Sequence, residues 1–143
     1  MLQRSILPLL LLAPIVVVSG GCGSQHGPQR YSLSGSVSYD DTPVPLGNVW
    51  LEPDSNDGNH GPSVVADIRN GKYFIRAAQG TVGGPHLVRI VGLDGTPTRS
   101  GTMVLPDGKS LFPDYKTIID LPAEHTTYDF EIPATAANEN DNR

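Results

Sequence analysis

From Tyr31 onward, apolar residues recur at every second position rather than at the three-to-four spacing of a helix. Tyr31, Leu33, Val37 and Tyr39 alternate with Ser32, Ser34, Ser36 and Ser38. That pattern predicts a strand with one buried and one wet face. Asp40–Leu46 (DDTPVPL) reads as a proline-rich turn, and Gly47–Glu52 as a second strand closed by Pro53. After the polar loop 54–62, Val64, Ala66 and Ile68 share one face of a third strand. Asn70-Gly71 then predicts a tight hairpin, because both central residues of a type I′ turn need positive φ. Tyr73, Ile75 and Ala77 lie on the returning strand. His86–Val91, Thr117–Leu121 and Thr127–Ile132 are the fifth, sixth and seventh strands, with one further short strand at Met103–Leu105. The spacing predicts an all-β fold, a seven-stranded antiparallel β-sandwich, with no helix longer than a turn.

The opening segment follows a different rule. Arg4 precedes a 13-residue apolar run, Ile6–Val18, broken by Pro8 and Pro14. A spanning helix needs roughly 20 apolar residues. A charged start, an apolar run and the small residues Ser19-Gly20-Gly21 describe a secretory signal peptide. Cys22, the single cysteine of the 143 residues, stands at its end. Ser19-Gly20-Gly21-Cys22 resembles the bacterial lipobox, with Ser19 where that pattern usually has Leu, Val or Ile. The resemblance implies removal of residues 1–21, diacylglycerol and further acylation on Cys22, and attachment to a membrane through that lipid. Two or more acyl chains would anchor the protein stably. Gly23 after the cysteine favours the outer membrane by the sorting rule of enteric-type bacteria. Residues 22–30 then form a lipid-proximal tether, 31–133 the folded domain, and 134–143 a polar, frayed tail.

Composition narrows the function classes. A net charge of −5 opposes nucleic-acid binding. One cysteine leaves neither an internal disulfide nor a cysteine-cluster metal site. No Gly-x-Ser-x-Gly nucleophile elbow is present. His26, His60, His86 and His125 lie in the tether, a loop, a strand start and a turn, and His86 reads as a part-buried packing residue. Asp54-Ser55-Asn56-Asp57-Gly58 is one residue short of a Ca²⁺-loop spacing and lacks the downstream Glu, so it reads as a plain loop. Asp40 and Asp41 are neighbours in a turn, not a carboxylate pair flanking a substrate. These readings give no metal, no cofactor and no catalytic residue.

Several motifs occur together in order. Leu33-Ser34-Gly35-Ser36-Val37 is followed by Asp40-Asp41-Thr42-Pro43-Val44, Gly47-Asn48-Val49-Trp50-Leu51-Glu52-Pro53, Asp67-Ile68-Arg69-Asn70-Gly71-Lys72-Tyr73 and Gly84-Pro85-His86-Leu87-Val88-Arg89-Ile90. Phe112-Pro113-Asp114-Tyr115-Lys116 closes the series, with Tyr115 and Lys116 in the reverse of the usual order. Over residues 31–132 the chain resembles the carboxypeptidase-regulatory-like, transthyretin-like sandwiches of short bacterial lipoproteins. The resemblance implies that fold and an envelope location, in a group whose members generally lack a known activity.

If Val49 and Leu51 face the core, Trp50 points outward, as do Phe74, Leu87 and Ile118, with Arg76 and Arg89 beside them. Trp50, Phe74, Arg76 and Arg89 are the candidate binding patch, for an envelope protein or a glycan. The alternative is that the long segment 93–116, carrying Phe112 and Tyr115, folds back over them. Covering is the expected outcome, because soluble domains seldom leave large apolar patches bare. The functional reading is a non-enzymatic, lipid-anchored structural or protein-interaction module. Its alternatives are a carbohydrate-binding module using the outward aromatics, or a small envelope hydrolase using the 93–116 loop.

Overall fold

The structure is a computed structural model that describes residues 27–137. The leader 1–21, Cys22 and residues 138–143 lie outside the described residues. The chain is all-β: one curled sheet, a half-barrel, wrapped around a single apolar core. Its strands are β1 (Leu33–Tyr39), β2 (Thr42–Pro43), β3 (Leu46–Pro53), β4 (Val64–Arg69), β5 (Lys72–Ile75), β6 (Gly84–Leu93), β7 (Thr98–Ser100), β8 (Met103–Leu105), β9 (Tyr115–Leu121), β10 (Thr126–Thr127) and β11 (Phe130–Ile132). The sheet runs β10-β1-β5-β4-β3-β6-β9, with β11 and β2 also paired to β1, while β7 and β8 form a separate hairpin. Each of the seven expected strands is present, the last split into β10 and β11, and the short strand expected at Met103–Leu105 is β8.

Alternation places the core. Inward positions of β3 (Val49, Leu51), β4 (Val64, Ala66, Ile68), β5 (Tyr73, Ile75) and β6 (Val88, Ile90) are buried, and their neighbours in sequence are not. A one-residue slip would turn each of these to water, so the buried face fixes the register. The β4–β5 turn has Asn70 at φ 49° and Gly71 at φ 71°, the positive pair that a tight primed turn needs. A second such turn, unforeseen in the proline-rich reading of 40–46, is made by Asp40 (φ 47°) and Asp41 (φ 61°), which pair Tyr39 with Thr42. Asp tolerates this conformation better than most residues.

The expected all-antiparallel arrangement needs one correction. β1 runs parallel to both β10 and β11, with Leu33 opposite Thr126 and Val37 opposite Phe130. The first and last strands thus close one flank of the curl, and β1 is paired along both edges. The seam breaks at Tyr128-Asp129 in a defined way. The Tyr128 carbonyl lies directly over Gly35, where any Cβ would collide with it. That carbonyl accepts from the buried Tyr73 hydroxyl at 2.7 Å. Asp129 Oδ1 replaces the missing ladder bond, accepting from Ser36 N–H at 2.6 Å and from Ser36 Oγ–H at 2.7 Å. Those two Ser36 donors, hydroxyl first, hold the Asp129 carboxyl below its ordinary range, helped by Lys72. Burial pushes the Tyr73 phenol far above its own, with Asp129 and Tyr128 adding to it.

One other expectation changes. Residues 134–137, expected in the frayed tail, form a 3₁₀ turn with Ala136 buried against the core. The 93–116 segment is ordered as a long arm. Asp94 N–H donates to the Lys109 carbonyl and Gly95 N–H to that of Asp107, while Asp94 Oδ1 accepts from Thr96 N–H (2.9 Å) and Lys109 N–H (3.0 Å). β7 and β8 form its tip.

Gly35→Ala is expected to destabilise the chain by about 3 kcal/mol, the upper end of overpacking costs. Tyr73→Phe, which leaves the Tyr128 carbonyl short of a donor, is expected to cost about 1–2 kcal/mol. Urea denaturation measures both. A folded-state carboxyl held below its unfolded value stabilises above the unfolded value, about pH 3.9, and loses that stabilisation as pH falls through the folded one. The stability gap between the native chain and Asp129→Asn is therefore expected to narrow as pH drops below about 4. An unchanged gap would remove Asp129 from the acid response.

Candidate functional site

The outer face of the sheet separates the candidate residues into two groups. Trp50 on β3 sits between Val65 of β4 and Arg89 of β6. Leu87, two residues before Arg89, stands opposite Ile118 of β9. Period-two alternation therefore draws a diagonal apolar stripe, Val65–Trp50–Leu87–Ile118, across four adjacent strands. Trp50 is 46% exposed, Leu87 38% and Ile118 61%. A groove of about 570 Å³ runs along the Trp50–Leu87–Ile118 part of the stripe, with Glu52, Ser63 and Lys116 among its polar walls.

Arg89 is the charged member of this group. Its guanidinium carbon lies 5.7 Å from the centre of the Trp50 ring, within cation–π range. Its Nε meets Asp114 Oδ2 at 2.8 Å. Both partners are about half exposed, so the ion pair orients the guanidinium more than it stabilises the fold. Asp114 fixes Arg89, and Arg89 in turn covers part of the indole.

Phe74 and Arg76 are not part of this cluster. Phe74 is 63% exposed on β5, opposite Ser34 of β1 and on the far side of β4 from Trp50. Arg76 follows the end of β5 and is the residue before the 3₁₀ turn Ala77–Gln79. The sheet order explains the separation: β4 stands between β3 and β5, which a sequence without topology does not reveal.

The expected covering of the patch does not occur. Phe112 and Tyr115, the aromatics expected to fold over the patch, turn to the core instead: Phe112 is 3% exposed with its ring 5.0 Å from that of Tyr39, and Tyr115 packs partly buried against the core. Gly92 makes the space: a Cβ there would come within 2.6 Å of the Phe112 ring. From the 93–116 segment, Asp114 reaches the outer face at Arg89, and Lys116 and the β9 residues beyond it form one side of the groove.

Several other titratable groups are tied into the fold. Asp54 is buried, and its carboxylate accepts from Asn56 N–H at 3.0 Å, capping a 3₁₀ turn. Among the described residues, no three His, Cys, Asp or Glu side chains gather as a metal site. His125 Nδ1 lies 3.1 Å from Ser32 N and 2.8 Å from Ser32 Oγ. A backbone N–H can only donate, so Nδ1 accepts and the ring proton belongs on Nε2. The pair ties the start of β1 to the turn before β10. His60 is exposed in its loop. His86 is buried more deeply than its sequence context suggested. It is 1% exposed, its Nδ1 lies 2.8 Å from the Gly84 carbonyl, and its Nε2 has no hydrogen-bond partner among the described residues.

Comparison with family models, curated proteins and solved structures finds no match to this chain. Among the described residues no helix is long and apolar enough to cross a membrane.

Trp50 is the only tryptophan, so its fluorescence reports the site alone. Arg89→Ala is expected to raise acrylamide quenching of Trp50 while changing stability by under about 1 kcal/mol. Asp114→Asn is expected to move quenching in the same direction, by less. Quenching that is unchanged in both variants would show that Arg89 does not shield the ring.

Proposed function

We propose that this chain is a lipid-anchored protein of the cell envelope, held by acyl chains on Cys22, whose domain is a non-catalytic protein-interaction module. On this reading residues 1–21 are removed, the outer membrane is the favoured location, and the half-barrel is a variant of the carboxypeptidase-regulatory-like, transthyretin-like sandwich. The ordered motifs of residues 31–132 and the seven principal strands support that fold assignment.

The bare outer stripe carries the functional reading. A long arm is ordered beside it, yet Trp50, Leu87 and Ile118 stay open to solvent while Phe112 is spent on the core. Contiguous exposed apolar surface rimmed by polar groups marks interaction sites. Three of the four stripe residues are aliphatic, and Arg89 already lies over the indole. A sugar ring needs a free aromatic face and dense polar contacts. Aliphatic neighbours and a fixed guanidinium suit an apolar side chain and a carboxylate of a protein partner better.

Two measurements test this. Mass spectrometry of the membrane-extracted protein is expected to find an acylated N-terminal Cys22. An unmodified terminus elsewhere, with the protein free in the soluble fraction, would overturn the anchor. A photo-crosslinking residue at position 87 is expected to give a discrete protein adduct in the envelope that Trp50→Ala removes. An adduct unaffected by that change would take Trp50 out of the contact. Glycan binding lost with Trp50→Ala would favour the carbohydrate reading instead.

A further inference from the structure

The sheet ends at β9. Seven residues, Tyr115–Leu121, pair with β6 in unbroken register from Gly84–Leu121 to Ile90–Tyr115. Among the described residues, no backbone hydrogen bond is found from β9 to anything but β6. Natural edge strands are commonly blunted by short length, bulges, proline or charged side chains, lysine above all. β9 has no bulge and no proline, and carries a single lysine. Pro113 and Pro122 stand just outside it, so the pairing-competent edge has defined ends. The opposite edge differs: it is made of β10 and β11, two and three residues long with a break between them.

The outward side chains of β9 are Lys116, Ile118 and Asp120, all exposed. This order is self-complementary. If two copies pair antiparallel about Ile118, each Ile118 faces the partner's Ile118. Each Lys116 then faces the partner's Asp120, and each Asp120 the partner's Lys116. On the inner side, Thr117 meets the partner's Ile119 and Tyr115 the partner's Leu121. A two-fold axis through such a pair is the natural geometry of an antiparallel ladder and of an isologous dimer. The apolar stripe also ends at Ile118, so pairing would join two stripes into one across both copies.

We infer that β9 is a dimerisation edge whose occupant is a second copy of this chain, in antiparallel register centred on Ile118. The inference does not rest on the proposed protein partner: it stands on the β9 backbone edge and on the order of Lys116, Ile118 and Asp120 along it, although Lys116 and Ile118 also wall the Trp50 groove. One short strand pair places the contact at the low end of specific interfaces, so the dimer should dissociate on dilution.

The test uses the full chain, purified from whichever cell fraction holds it, with mass measured by light scattering at about 100 µM and on dilution. The native chain is expected to be dimeric at the higher concentration. Lys116→Asp sets like charges opposite each other twice and is expected to weaken the dimer by about tenfold or more. Asp120→Lys should do the same, and the double swap K116D/D120K should restore it. Trp50 fluorescence and circular dichroism would show whether each variant is folded. Independently, chains carrying Lys116→Cys and Asp120→Cys are expected to form a disulfide-linked heterodimer when mixed. Neither should self-link, and the band should be absent from the native chain, since directly opposed residues alone lie within disulfide reach. A monomeric native chain would overturn the proposal. So would a dimer insensitive to the single charge changes, or self-linking as efficient as cross-linking.

Discussion

The fold depends on how its last strand meets its first. Among the described residues β1 alone pairs with more than two strands, β2, β5, β10 and β11, and its contact with β10 and β11 closes one flank of the curl. That contact requires the Tyr128 carbonyl to sit against the Gly35 backbone, which only a residue without a Cβ allows. The same point is where the ladder fails, and three polar groups repair it: the Tyr73 hydroxyl on the carbonyl, and the Ser36 amide and hydroxyl on Asp129. The Tyr73–Tyr128 bond is part-buried, and a buried carbonyl left unpaired costs about 1–3 kcal/mol, whereas the Ser36–Asp129 bonds lie exposed. Phe130 and Ile132 lie buried immediately beyond this gap, paired with β1.

The inner face, once closed, decides what the outer face can be. The apolar residues of one parity, with Phe112 drawn in over Gly92, fill the interior. Residues of the other parity are committed to the outside, and four of them line up because the registers of β4, β3, β6 and β9 stagger them diagonally. The long arm is held by Asp94 to its own backbone and does not lie over that line. Trp50 and Ile118 are thus exposed as a consequence of a core that is already full. Arg89 is held by Asp114 beside the indole.

The strands were legible because alternation is a local property. Val64, Ala66 and Ile68 announce their shared face without help from the rest of the chain, as does the Asn70-Gly71 turn. The outward parity of Trp50, Phe74, Leu87 and Ile118 was legible on the same basis. What sequence could not supply was long-range: that β4 separates Phe74 from Trp50, and that the last strand runs parallel to the first. The Asp40-Asp41 turn escaped notice because Asp carries a weaker positive-φ signal than Asn-Gly. Phe112 was misplaced because a lone aromatic in a loop has no periodicity to say which side it takes. A signal did exist: Gly92, following the buried Val88 and Ile90 at the next inward position of β6, marks the space into which that ring fits.

The account makes the β1 seam part of the same cooperative unit as the central sheet. Native-state amide hydrogen exchange reads this directly. The Tyr128 amide, bonded to the Ser34 carbonyl, and the ladder amides of β11 are expected to exchange with the same opening free energy as the β3–β6 ladder. Exchange at Tyr128 and β11 well ahead of that ladder, with β1 and β5 still protected, would mean that the last strand detaches alone, and would contradict the claim that the fold is closed there.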